Sequence, residues 1–338
     1  AIPRKIIPDI VVRFDPYRPY IHSSPVSSDR FHGSRHTRWT WRDESTFLVH
    51  TDKGVFSPTE LHFYVAPHMF GKALRESKNK IFSEIAPGPL CAISNDKATF
   101  EREKSRMERL WNSPRLDSNG THQNDGYFTV WRNAGKFECE HFFGRDFTLD
   151  EWKEYALAVN LLCAEGYKDA IEYSRTVRWN KTGVLWWSLC DMWPMAFNYS
   201  VMDYKLGPKL PYFWIERSQQ EFLLAAVNTE VGGEISLYAL NDTLEKRKVS
   251  YSVKAYDKSG KSRTLATGTV SQEKNSSSLI QRIYNADESE LWIITWNDGE
   301  REYKNHAFTG KADWETMKNW VKIIADEFGI ADKVAELN

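Results

Sequence analysis

Three polar side chains sit in or just past short apolar runs: His62, Glu84 and Asp191. A carboxylate at the end of a strand can serve as a nucleophile, a general base or a general acid, and an imidazole can hold a hydroxyl by hydrogen bonding. Trp187 and Trp193 stand beside Asp191 in a chain that carries 14 Trp. Flat indole faces can stack on the apolar C–H faces of sugars. Each residue also has a plainer reading. Glu84 alone would be a salt-bridged carboxylate, a single His is more often structural, and Trp often only fills a core. Asp191 fits a loop-capping role at least as well as a sugar contact.

The elements that must position these groups fall into two textures. Residues 1–217 alternate strands and helices. An apolar run at 10–14, fenced by prolines, reads as a short strand ending in a loop. Polar residues 26–58 look like an insertion, either a lid or a loop. Residues 61–65 and 80–85 read as short strands, with helices expected over 67–77 and 96–111 and a loop over 112–126. Thr148-Leu-Asp-Glu151 is a capping box that opens a long periodic helix. Within it, Glu172 and Arg175, one helical turn apart, suggest an ion pair. Gly183-Val-Leu-Trp-Trp-Ser-Leu-Cys190 suits a strand of a parallel sheet, buried on both faces. A short helix is expected over 209–217. Residues 218–310 turn strand-like, with runs at 222–228, 234–240, 249–256, 264–270, 278–284 and 291–297. Their spacing suggests an antiparallel sandwich. Residues 313–337, within a final segment 311–338, form an amphipathic helix with Trp314, Met317, Val321, Ile324 and Phe328 on one face.

The formal net charge of −1 gives no reason to expect a nucleic-acid partner. No apolar run approaches the roughly 20 residues of a membrane span, so no membrane partner is expected. Cys91, Cys139, Cys163 and Cys190 are widely spaced and read as free thiols. His22, His32 and His36 lack ligand spacing, so neither a metal nor another cofactor is expected.

The motifs, taken in order, resemble glycoside hydrolase family 2, in its β-mannosidase-like branch. That branch carries an Asp-Pro-x-Arg-Pro-Tyr…Ser-Ser-Pro segment at its fifth barrel strand, and this chain has Asp15-Pro-Tyr-Arg-Pro-Tyr20 and Ser23-Ser-Pro25. His62-Phe-Tyr64 matches the sixth strand and Phe82-Ser-Glu84, with Gly88 beyond, the seventh. Gly183, Trp187, Leu189, Asp191, Trp193-Pro194, Asp203-Tyr204 and Lys209 match the eighth. The resemblance implies an α/β then all-β chain. In order, these would be the C-terminal half of a TIM (β/α)8 barrel, an immunoglobulin-like β-sandwich and a C-terminal amphipathic helix. It makes Glu84 the nucleophile of a retaining exo-β-glycosidase, with His62, Trp187, Trp193 and Asp191 as substrate-binding candidates. The expected ligand is a β-mannoside or a related β-glycoside. It also puts Arg18 at the barrel end, paired with a carboxylate such as Asp15.

A retaining glycosidase needs two carboxyls about 5–5.5 Å apart. In the family the acid/base is the Glu of an Asn-Glu pair upstream of the Asp-Pro-x-Arg-Pro-Tyr segment, and this chain contains no Asn-Glu pair. The expected partner is therefore the missing N-terminal half of the enzyme, or a completing subunit. Half a barrel leaves sheet edges and an apolar face uncovered. The alternative is a non-catalytic carbohydrate-binding or assembly module, or an inactive fragment.

Overall fold

The computed structural model describes residues 6–15, 49–51, 54–56, 60–77, 79–88, 92–94, 96–112, 123–228, 234–284 and 289–335. Two antiparallel strands, β1 (Val49–Thr51) and β2 (Gly54–Phe56), follow helix α1 (Ile7–Phe14). Strand β3 (Glu60–Tyr64) leads through helix α2 (Pro67–Glu76) to strand β4 (Ile81–Ala86). After β5 (Ala92–Ile93) come three helices, α3 (Lys97–Leu110), α4 (Gln123–Phe143) and α5 (Trp152–Thr176). Then follow β6 (Gly183–Trp186), β7 (Phe197–Asn198) and α6 (Leu210–Ser218).

β3, β4 and β6 form a parallel sheet in the order β3-β4-β6. Its covered face is apolar: Phe63, Phe82 and Ile85 pack with Phe70 and Leu74 of α2 and Ala170 of α5. The helix α5 is the strut of this region. Residues 155–164 are buried without interruption, the pattern of a helix surrounded by protein. Its capping box is formed as the sequence suggests, with the Glu151 carboxylate accepting from the Thr148 N–H at 2.9 Å. At the sheet end, Gly166 of α5 lies against Pro87, where a β-carbon would come 2.5 Å from the proline Cγ.

Seven strands follow: β8 (Phe222–Asn228), β9 (Glu234–Asn241), β10 (Arg247–Tyr256), β11 (Ser262–Gln272), β12 (Ser276–Tyr284), β13 (Glu290–Asn297) and β14 (Glu302–Thr309). They make two antiparallel sheets, β12-β9-β8 and β11-β10-β13-β14. Leu224, Leu237, Val253, Trp292 and Ile294 meet in a core shared by both. Helix α7 (Trp314–Phe328) and helix α8 (Ala331–Ala335) close the described chain. Trp314, Trp320 and Ile324 of α7 enter the helical core, which also takes Leu291 and Ile293 from the far side of β13.

Several expectations are corrected. Residues 10–14 are helical, because Pro8 falls in the first turn, where its missing N–H costs nothing and its fixed φ favours helix. The expected fifth barrel strand is thus not formed at 10–14, and the parallel sheet among the described residues has three strands. The rest of that segment, Arg18 included, lies outside the described residues, as do His22, His32, His36 and Cys91. Strand β6 stops at Trp186 and is not buried on both faces: Leu185 is 56% exposed. Glu172 does not pair with Arg175. It takes Lys168 at 2.7 Å, while Arg175 pairs with Asp242 at 3.0 Å. The final helix breaks at Gly329, whose left-handed φ of 66° lets its N–H cap α7. Helix α4 and strand β14 went unread.

Candidate functional site

Glu84 sits on the central strand, near the C-terminal end of the parallel sheet. Its register is irregular toward both neighbours. Leu61 pairs with Phe82 while His62 pairs with Glu84, and on the other side Val184 and Trp186, two apart, face Phe82 and Ile85, three apart. Strand β4 therefore carries one extra residue at Ser83–Glu84. Such a bulge re-aims a side chain and recurs beside active sites. The Glu84 carboxylate is partly buried. Tyr64, at the end of β3, donates its phenol to Glu84 Oε2 at 2.8 Å. A hydrogen bond to an ionised oxygen contributes about 1.5–3 kcal/mol, enough to hold one rotamer. Tyr64 is itself fixed: Gly88 approaches it so closely that a β-carbon there would lie 3.3 Å from the ring. Its other side meets the Tyr199 ring edge-on at 5.5 Å, and Tyr199 meets Trp131 of α4 at 6.4 Å.

The eighth-strand motif lines the neighbouring edge. Trp186 turns toward the cores, whereas Trp187 is 47% exposed. The Trp187 N–H donates to the carbonyl of Ile85, the residue after Glu84, at 3.0 Å. The following peptide, Trp187–Ser188, is cis. Trp193 stands 55% exposed in the next loop. Asp191 is placed differently from the other candidates. Its carboxylate is fully buried, 3.3 Å from Lys209 Nζ, and accepts from Asn198 Nδ2 at 2.9 Å. Burial pushes this carboxyl up, against the pull of Lys209. It ties the loop to β7 and faces no solvent. The backbone of His62 is opposite Glu84, but the His62 side chain lies outside the described residues.

Behind the site, Asn160 of α5 accepts from the Ile93 N–H at 2.6 Å and donates to the Ile93 carbonyl at 3.0 Å. The amide pairs with β5 as a strand would, and so fixes the β5–β7 ribbon. Sequence reading left Tyr64 without a role, although it closes the His62-Phe-Tyr64 motif. Tyr199 and Trp131 went unread because their contact joins residues distant in sequence.

A separate cleft of about 440 Å³ lies between α2, α5, β8 and β14. Among its charges, Arg75 pairs with Asp169 and Lys168 with Glu172. Along β6 and its following loop, by contrast, Leu185, Trp187, Leu189 and Trp193 are exposed. Glu84, Tyr64 and Trp187 do not line the cleft, so it is not the candidate site.

No family model matches the chain. Beta-mannosidase B of Thermothelomyces thermophilus is 31% identical over 115 residues, which cover 29% of this chain and 13% of that protein. The fold is similar to the Beta-D-Mannosidase from Dictyoglomus thermophilum, with a TM-score of 0.66 and 18% identity over 92% of this chain and 35% of that one. It is also similar to the exo-chitosanase of Amycolatopsis orientalis, with a TM-score of 0.56 and 14% identity over 80% and 35% of the two chains. The chain thus spans about a third of the length of the solved structures it matches. By their names these proteins act on β-linked sugars; the chain shares sequence with the first over 115 residues and its fold with the other two, a partial β-mannosidase-like relationship.

Proposed function

We propose that this chain is the C-terminal part of a retaining exo-β-glycosidase of β-mannosidase type, and that Glu84 is its nucleophile. The observation that carries the reading is the setting of Glu84. It stands on a bulge of the central parallel strand, oriented by the Tyr64 phenol, and the residue after it binds the backbone of Trp187, whose indole is exposed. In this reading residues 1–217 supply half of a (β/α)8 barrel, residues 218–310 an immunoglobulin-like accessory domain, and 311–338 a terminal helical segment. Active sites of such barrels collect at the C-terminal ends of the strands.

Glu84 attacks the anomeric carbon of a terminal β-linked sugar and forms a glycosyl ester, which water then hydrolyses. Trp187 and Trp193 offer their faces to the sugar, and His62 a hydrogen bond to one of its hydroxyls. Asp191 supports these contacts through the loop it anchors. The acid/base comes from polypeptide outside this sequence, as the missing Asn-Glu pair and the greater length of the relatives both suggest. The second edge of β6, which pairs with no strand among the described residues, and its exposed face are where that completing barrel half docks.

Aryl β-glycosides of graded leaving-group acidity test this. A nucleophile without its acid cleaves only glycosides whose phenolate departs unprotonated. The chain alone should therefore turn over dinitrophenyl β-mannoside slowly, spare the methyl glycoside, and lose the activity in Glu84→Ala. Equal cleavage of both glycosides would place the acid/base within these residues. No cleavage by the folded chain, with sugar still bound, would favour a carbohydrate-binding module instead.

A further inference from the structure

Tyr167 of α5 has no part in the chemistry above, yet it reaches the site from behind. It is 1% exposed. Its phenol donates to the backbone carbonyl of Trp187 at 2.9 Å and lies 3.3 Å from the carbonyl of Tyr199. One acceptor belongs to Trp187, whose backbone meets the residue after Glu84, and the other to Tyr199, whose ring packs on Tyr64. Trp187 is already held on its N–H side by Ile85, next to Glu84. With its carbonyl bound to Tyr167, the peptide groups on either side of its α-carbon are fixed, while the indole itself stays exposed. Tyr199 packs on Tyr64, which orients the Glu84 carboxylate. Trp187 is also where β6 leaves the parallel sheet. From Ser188 onward the chain pairs with residues 201–202, through the Val201 N–H to the Ser188 carbonyl at 2.9 Å and the Met202 N–H to the Leu189 carbonyl at 2.9 Å. Tyr167 therefore clamps the junction between two pairing systems, at the point where a sugar platform would have to be rigid.

We propose that Tyr167 is a positioning residue that sets the orientation of the Trp187 indole, and with it the affinity of the sugar subsite beside Glu84. The inference rests on reading Glu84 as the nucleophile and Trp187 as the sugar platform. Preorganisation is the physical reason for the effect. A ring held in place loses little freedom when substrate stacks on it, whereas a loosened one must be ordered by the substrate itself. Such a loss falls equally on bound substrate and transition state, so it appears in KM.

Tyr167→Phe keeps the ring and its packing and removes only the hydroxyl. Tyr155→Phe is the control: Tyr155 lies on the same helix, is also 1% exposed, and places its hydroxyl 3.4 Å from the Arg132 carbonyl, on the α4 side. The chain is labelled with fluorotryptophan, and the Trp187 fluorine resonance is assigned by its disappearance in Trp187→Phe. The expected result is a Trp187 resonance that shifts or broadens in Tyr167→Phe and stays put in Tyr155→Phe. KM for an activated β-glycoside should rise about tenfold in Tyr167→Phe, with kcat within about twofold of the parent. An unmoved resonance in Tyr167→Phe, or an equal change in Tyr155→Phe, overturns the proposal. So does a moved resonance with an unaltered KM. A moved resonance in a chain that cleaves no glycoside at all would uphold the clamp and remove the glycosidase reading instead.

Discussion

β6 with its following loop and β13 are both mostly apolar runs of eight residues with two tryptophans. The first reads Gly-Val-Leu-Trp-Trp-Ser-Leu-Cys, the second Glu-Leu-Trp-Ile-Ile-Thr-Trp-Asn. β13 pairs on both edges, with β10 and β14, and presses one face into the sandwich and the other into the helical core. Trp292 and Trp296 are accordingly buried, and the Trp292 Nε1–H finds the Glu290 carboxylate at 3.0 Å. β6 pairs among the described residues with β4 alone, and Leu185, Trp187, Leu189, Met192 and Trp193 along this stretch are exposed. Apolar side chains in a row thus mean a finished core in one place and, among the described residues, an exposed surface in the other. The difference lies in what surrounds each strand, and no feature of either run taken alone contains it.

The contrast can be broken most sharply by truncating a tryptophan on each side. Trp292→Ala should cost about 3–5 kcal/mol in urea unfolding, as a buried aromatic does. Trp187→Ala should change stability by no more than about 0.5 kcal/mol while weakening sugar binding. Comparable costs would mean that β6 is as much a core strand as β13. Next comes the packing that holds the parallel sheet to its strut. Gly166→Ala forces α5 away from Pro87, and should cost about 1–3 kcal/mol and lower activity along with stability, since the displaced turn follows Glu84. Unchanged activity in that variant would detach the site from α5.

The sandwich side sharpens the comparison through pH. His306 of β14 is buried, 2.7 Å from Glu165 of α5, near Trp214 and with Lys168 and Glu172 close by. Burial holds its imidazole below the ordinary value, against the pull of Glu165. The folded His306 is therefore neutral where the unfolded one takes up a proton, so stability is full above about pH 6.5 and lost as pH falls below it. Burial alone would raise Glu165, but the hydrogen bonds from His306 and Trp214 and the Lys168 charge outweigh it and the carboxyl is lowered, which adds a loss at still lower pH. Denaturation midpoints between pH 7 and 5 should decline in the parent and flatten in His306→Gln. The smallest effect belongs near the loop after β6. Asp96 caps α3 through the Thr99 N–H at 3.1 Å and takes Lys205 at 2.8 Å, which lowers its pKa to about 2. Asp96→Ala should cost about 1 kcal/mol as a lost cap, and that cost should vanish as pH drops from about 4 toward 2.

Where a local rule decides, the sequence was legible. Thr148-Leu-Asp-Glu151 caps its helix because the groups involved lie within one turn. The six sandwich strands emerged because alternation and turns such as Asp257-Lys-Ser-Gly260 are short-range signals. Strand β4 was legible too, but its bulge at Ser83–Glu84 was not, since register is a relation among three strands. Helix α4 was hidden by its Gly, Phe and Trp content. Its Gly135 lies so close to Tyr155 that a β-carbon would clash at 2.1 Å, a tertiary constraint no window of sequence displays. Residues 10–14 were misread because proline was treated as a helix breaker at every position. From its motif Asp191 reads as either a loop cap or a sugar contact. Only the fold brings Lys209, 18 residues on, to its carboxylate.

The most direct test of the account is covalent. Incubating the folded chain with a dinitrophenyl 2-fluoro-β-mannoside traps any competent nucleophile, because the leaving group needs no acid and the fluorine slows release of the ester. Peptide mapping by mass spectrometry should find the sugar on the peptide bearing Glu84 and nowhere on Glu84→Gln. A label on another carboxylate, or a folded chain that binds the reagent and stays unlabelled, would contradict the assignment of Glu84 as nucleophile.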